Sequence, residues 1–146
     1  MQDKKIREQS GVIPFYQDTD ELKVMLITPR WCADIWIFPK GNLAAGLTPA
    51  ESAAEEAYEE AGVKGEVRSA LIGQYHYEKY GRLYRVSMYL LEIEEILDDF
   101  PEVDDRNRTL VSLSTALDLL QNDALRGLLH TAWDMMKQNS QRGEGS

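Results

Sequence analysis

Apolar and polar positions follow two periods along the chain, and the switches between them outline a mixed α/β protein. Residues 11–16 form a short apolar run that suits a strand. Pro14 within it predicts an edge position or a bulge, because proline cannot donate to a ladder. A turn at Asp18, Thr19 and Asp20 leads to a second strand at 22–28. There Val24, Leu26 and Thr28 share one face and Met25 and Ile27 the other, so both faces are expected to be buried. Residues 67–77 and 83–93 are rich in β-branched and aromatic side chains and predict two more strands, joined as a hairpin through 78–82. Residues 94–108 read as a charged loop and 109–113 as a short last strand.

The helical period dominates the C-terminal part. Ser114 is a candidate cap for a helix at 115–120, and Asn122 for a longer one reaching about residue 138. On the longer helix Leu125, Leu128, Leu129, Ala132, Trp133 and Met136 form one apolar stripe, which predicts packing on a sheet. Polar stretches at 1–9 and 139–146 read as flexible ends. With a further helix ahead of the later strands, the pattern predicts an α/β/α sandwich.

That further helix carries the candidate chemistry. Pro39 and Gly41 break an apolar run, and Gly46 keeps the connection irregular. Thr48, Pro49 and Glu51 make a complete helix start with a capping box, and Gly62 stands where a left-handed C-terminal cap belongs. The expected helix is 49–61. One side carries Ala50, Ala53, Ala54, Ala57 and Ala61, which allow close approach to a sheet. The other carries Glu51, Glu55, Glu56, Glu59 and Glu60, of which Glu56, Glu59 and Glu60 can converge at spacings of three and four. No Lys or Arg lies between Gly41 and Val63. Like charges at such spacing cost roughly 0.2–0.5 kcal/mol per pair, and Glu60 opposes the helix dipole. A divalent cation with oxygen ligands would explain the placement. A solvated glutamate face would show the same residues, so the helix by itself leaves both readings open.

Length and charge narrow the setting. At 146 residues and 43% apolar content the chain suits one compact domain over 1–146. Its apolar runs are far shorter than the roughly 20 residues of a membrane span, and its first residues lack a signal-peptide pattern. One cysteine, Cys32, excludes an intrachain disulfide and suits the cytoplasm. A net charge of -9 argues against nucleic acid and anionic membranes as partners. If the substrate is an anion, local cations or metal must screen the site.

The segment from Gly41 to Val63 resembles the box of the Nudix hydrolase family, G-x5-E-x7-R-E-U-x-E-E-x-G-U. Gly41, Glu56, Glu59, Glu60, Gly62 and Val63 match in register, and Phe38-Pro39-Lys40-Gly41 is similar to the family's approach to the box. Leu47, Glu55 and Ala57 depart from it, replacing a Glu, an Arg that orients the glutamates, and an aliphatic residue. The segment also looks like the branch of diphosphoinositol-polyphosphate and dinucleoside-polyphosphate hydrolases. The resemblance implies a Mg²⁺-dependent pyrophosphohydrolase, Mn²⁺ being the alternative ion, acting on a small diphosphate or polyphosphate, with a homodimer left open. It implies Glu56, Glu59 and Glu60 as catalytic and metal-holding residues, joined by the backbone carbonyl of Lys40. From the charged loop, Glu102 is the first choice for a further ligand and Asp105 the second. Arg30 and Lys40 are the phosphate-contact candidates. The alternative is a catalytically impaired nucleotide-binding module, in which Leu47 and Glu55 have ended turnover. An interaction protein with a merely solvated glutamate helix is the third reading.

Overall fold

The computed structural model describes residues 5–19 and 21–144, with side chains up to residue 138. In chain order the elements are β1 (Ile6–Asp18), β2 (Glu21–Ile27), β3 (Lys40–Asn42), α1 (Pro49–Glu56), a π-helical turn (Ala57–Ala61), β4 (Val63–Lys79), β5 (Arg82–Ile96), β6 (Arg108–Ser112), α2 (Leu113–Leu119) and α3 (Asp123–Glu144). The strands form one mixed sheet in the order β4-β5-β1-β2-β6, with β3 attached to β1. β1 runs parallel to β5 and antiparallel to β2 and β3. The architecture is the expected α/β/α arrangement.

The two-faced burial read from alternation is what separates the layers. Val24 and Leu26 join Ile13, Phe15, Val86, Met88 and Leu90 in a cluster covered by α2 and α3. Met25 and Ile27 join Val12, Leu91 and Ile93 in a second cluster covered by Ala53, Ala57 and Ala61 of the box helix. The α3 stripe is core: Leu125, Leu128, Leu129, Ala132 and Met136 are buried and Trp133 packs at the margin.

Several elements differ from the sequence reading. Pro14 is not at an edge, because β1 is the central strand. It falls between the residues that pair with β3, ending at Gly11, and those that pair with β2, starting at Phe15. Its missing donor coincides with the change of partner. Residues 6–9, expected to be flexible, are paired with β5, while residues 1–4 and Asp20 lie outside the described residues. α2 is capped by Ser112, whose hydroxyl accepts from the Thr115 amide, not by Ser114. α3 begins as expected, with Asn122 Oδ1 accepting from Leu125 N–H at 3.1 Å. It continues to Glu144, through most of the stretch expected to be a loose end. The β4–β5 hairpin turns on Tyr80 and Gly81, both at positive φ, the two-residue geometry that matches strand twist.

Candidate functional site

The box helix keeps its expected limits but not a uniform form. Thr48 and Glu51 complete the capping box, and Gly62 adopts φ 65 as the left-handed cap. Between them the α-helix ends at Glu56 and the last turn is π-helical, with the Gly62 amide reaching Ala57 and Tyr58 carbonyls. The fully buried Ala53, Ala57 and Ala61 let the helix press against the sheet. As a result Glu56 lies directly over Gly41, where any Cβ would collide with its carboxyl group. Gly41 is paired with Ser10 of β1. Cross-strand partners share a face, so the Ser10 side chain lies on the α1 side of the sheet. Its hydroxyl is buried and has no hydrogen-bond partner among the described residues.

Glu60 is buried, 7% exposed, and engaged at both oxygens. Oε1 accepts from the Lys40 amide at 3.1 Å, and Oε2 is 3.3 Å from Nη2 of Arg106. Burial pushes the Glu56 carboxyl up to about 8; the charges of Glu60, Glu59 and Glu102 add to this, as does a hydrogen bond to Glu60. Burial also raises Glu60, with Arg106 and Lys40 opposing it and Glu102 reinforcing it. Without a metal, Glu56 therefore holds its proton to a higher pH than an ordinary carboxyl group does.

The segment between β5 and β6 supplies the fourth carboxylate. Glu102 is buried, and its amide donates to the Glu59 carbonyl at 3.0 Å, which fixes this loop to the π-helical turn. Leu97 N–H to Gly62 O at 2.8 Å is a second tie. Arg108 is a third: its guanidinium donates to the carbonyls of Ala61 at 2.8 Å and Leu97 at 2.6 Å and lies over the Phe100 ring. It satisfies carbonyls left open at the helix end and offsets the negative dipole there. Asp105 faces outward, 3.7 Å from Arg30. Arg30 itself is 2.6 Å from Glu102 Oε1, so its guanidinium sits against a site carboxylate. An open cleft of about 370 Å³, lined by Thr28, Arg30, Asp105 and Arg106 among others, lies beside these groups.

Lys40 occupies the other flank. Its ammonium lies 5.0 Å from the centre of the Tyr77 ring, and Tyr77 stacks on Tyr84. The Tyr77 hydroxyl donates to Gln9 at 2.6 Å, and Gln9 donates to Asn42 at 3.0 Å, linking β4 through β1 to β3. Trp31 is 69% exposed, whereas Trp36 packs against the core.

The structure thus brings Glu56, Glu60 and Glu102 together, with Glu59 close enough to act on Glu56. Among the described residues no three His, Cys, Asp or Glu side chains are already set around one point as metal ligands. Arg106 is the site residue that sequence reasoning missed. The only signal was a basic pair, Arg106 and Arg108, closing an acidic loop, and nothing in that pattern says which carboxylate either one meets.

Comparison with known proteins places this arrangement. The NUDIX domain family matches residues 6–130. The chain belongs to the Nudix family. Nudix hydrolase 13 of Arabidopsis thaliana, named as mitochondrial, is 29% identical over 99% of this chain and 82% of its own length. Diphosphoinositol polyphosphate phosphohydrolase 2 of Rattus norvegicus is 33% identical over 73% of this chain, and the match spans 59% of that protein. Among solved structures, an Ap4A hydrolase of C. elegans superimposes with a TM-score of 0.74 over 90% of this chain and 99% of its own, at 17% identity. That last likeness concerns the Nudix fold. The relatives' names are those of hydrolases, in keeping with the family's enzymatic character. Among the described residues no helix is long and apolar enough to cross a membrane.

Proposed function

We propose that this Nudix domain hydrolyses a phosphoanhydride bond in a nucleoside diphosphate-linked or polyphosphate small molecule, using Mg²⁺ or, alternatively, Mn²⁺. The observation that carries the reading is that one guanidinium, Arg106, lies 3.3 Å from Glu60 and 3.2 Å from Glu102, both near enough to Glu56 that burial and their charge push its carboxyl up to about 8. A carboxylate shifted by burial and by specific charged neighbours, close to a cleft, is a functional-site candidate.

The residues fit a hard divalent ion. Every donor is oxygen, the excess negative charge calls for a cation, and the buried Ser10 hydroxyl, on the same face of the sheet, is an unused polar group. Glu56, Glu59, Glu60 and Glu102, with the Lys40 carbonyl, would hold it. When bound, such an ion neutralises diphosphate oxygens and acidifies a water. The chain's own part is positioning and charge. Glu56, held over Gly41, is placed to take a proton once its neighbours' charge is compensated. Lys40, poised on Tyr77, and Arg30, at the cleft, are the groups that would meet phosphate oxygens.

Leu47 and Glu55 bear on the impaired nucleotide-binding alternative. Both are exposed, and Glu55 lines a separate hollow with Tyr58, Lys64 and Leu91 on the far side of the helix. Their replacement leaves the carboxylate cluster assembled, which favours turnover. A reducing compartment such as the cytoplasm suits the single Cys32.

The test is a panel of inositol pyrophosphates, dinucleoside polyphosphates and nucleoside diphosphate derivatives with Mg²⁺. Phosphate or nucleotide release should be metal-dependent, and Glu60→Gln should lower kcat by about 100-fold or more, the scale of lost charge stabilisation in a preorganised site. The variant should still fold, since glutamine can accept from the Lys40 amide, with a lower Tm because its NH2 then faces Arg106 in place of Oε2. Unchanged turnover in this variant would sink the assignment.

A further inference from the structure

Neighbouring glutamates repel one another, and the box helix has no cation to offset this, for residues 42–62 contain no Lys or Arg. Position 55, next to Glu56, adds another carboxylate and points it outward. The compensating charge comes from far along the chain. We propose that Arg106 is the positioning residue of this site, its guanidinium holding Glu60 and Glu102 at a shared point as the reaction requires. This inference rests on the hydrolase reading above.

The geometry of Arg106 differs from that of an ordinary surface arginine. Its side chain is 10% exposed, against 60% for Arg30. Nη2 lies 3.3 Å from Glu60 Oε2 and 3.2 Å from Glu102 Oε1, and Nε also donates to Glu102 Oε1 at 3.2 Å. Nη1 donates to the Thr28 carbonyl at 3.0 Å. One planar fork therefore joins the box helix, the β5–β6 loop and the end of β2. A lysine, with a single point charge, could not serve all three in this way.

The fork is also held from behind. Asn107, the next residue, donates its amide to Thr28 Oγ1 at 2.9 Å, and Thr28 donates its own amide to the Asn107 carbonyl at 3.0 Å. The loop is pinned ahead of it by Glu102 N–H on Glu59 O. Arg106 thus has its backbone fixed and every nitrogen of its guanidinium used, an arrangement that fixes carboxylates in place. Arg106 acts through Glu60 and Glu102, so its removal should alter the chemical step more than substrate capture.

The experiment compares Arg106→Met, which keeps the bulk and removes the fork, with Arg106→Lys, which keeps the charge. With the substrate found on the panel, Arg106→Met should lower kcat at least 30-fold while KM stays within about twofold. Arg106→Lys should recover at least fivefold of that loss. Mn²⁺ titration of the folded proteins should show weaker binding, by fivefold or more, in Arg106→Met, because carboxylates freed from the fork must be gathered again. An unchanged kcat, or a tenfold rise in KM at near-normal kcat, would overturn the proposal, the latter by making Arg106 a direct phosphate contact. Unchanged or tighter Mn²⁺ binding would overturn it too, by showing the guanidinium to be a mere competitor for the carboxylates. If Arg106→Met fails to fold, Arg106→Lys and Arg106→Gln carry the same comparisons. If the wild type hydrolyses nothing on the panel, the hydrolase reading fails by itself, and the Mn²⁺ titration still decides the role of Arg106.

Discussion

Glu56 shows how far one side chain's properties depend on its neighbours. The helical spacing that groups it with Glu59 and Glu60 is a local property, readable from the chain. Its displaced proton affinity is not, since that comes first from burial over Gly41 and then from charges that include the distant Glu102. The consequence can be measured. Without metal, the folded protein holds the Glu56 proton up to about pH 8, while an ordinary carboxyl group loses it near 4.5. The folded state then binds more protons between these values, so the stabilisation is complete below 4.5 and is lost as pH rises through 8. Glu60, raised in the same direction, adds to the trend. In EDTA, Tm should fall between pH 5 and 8.5, and Glu56→Gln should flatten the slope. A Tm that rises over this window would contradict the burial seen here.

Among the elements, the box helix was the most legible because its signals are short-range. Thr48, Pro49, Glu51 and Gly62 act within one or two turns of their own positions, and all four do so here. The π-helical last turn was not legible. It accompanies the fixing of Glu59, Gly62 and Ala61 carbonyls by Glu102, Leu97 and Arg108, partners far off in sequence. The two ends of the helix should respond differently to mutation. Thr48→Ala removes one capping bond and should cost about 1 kcal/mol. Gly62→Ala places a Cβ in the left-handed region, itself worth roughly 1–2 kcal/mol, and against the Phe100 ring. Chemical denaturation should therefore find Gly62→Ala the more destabilising of the two; the reverse order would mean that Phe100 moves aside freely. At α2 the sequence pointed to Ser114 as the cap and left Ser112 inside the last strand, but β6 ends at Ser112, which puts that hydroxyl at the helix start.

For the whole molecule, a sheet buried on both faces divides its labour. The α3 side provides an apolar support, and the α1 side carries the polar site at its margin. Leu129, wholly buried under the sheet, should report on the support alone. Leu129→Ala should destabilise by about 2–5 kcal/mol, as large-to-small core changes do. Below its lowered Tm it should keep kcat within a small factor. A large loss of kcat in the still-folded variant would show that α3 and the site are coupled. The layered class was legible because hydrophobic period reports directly on burial. The order of strands was not, and it is what makes β1 central, lets Pro14 sit inside a sheet, and pairs Ser10 with Gly41.

By itself, the sequence determined most of the strands and the helices, though not β3 or the start of β1, together with the two buried faces, the capped glutamate helix and the membership of Glu56, Glu59, Glu60 and Gly41 in one segment. These follow from interactions between residues a few positions apart, where covalent geometry sets the distance. Only the tertiary structure decided that Glu102 and Arg106 reach that segment, that Arg30 lies against Glu102, and that the Glu56 carboxyl is pushed above the ordinary carboxylate range. Those outcomes depend on charges brought together from more than forty residues apart and on how much water the packed layers leave around them.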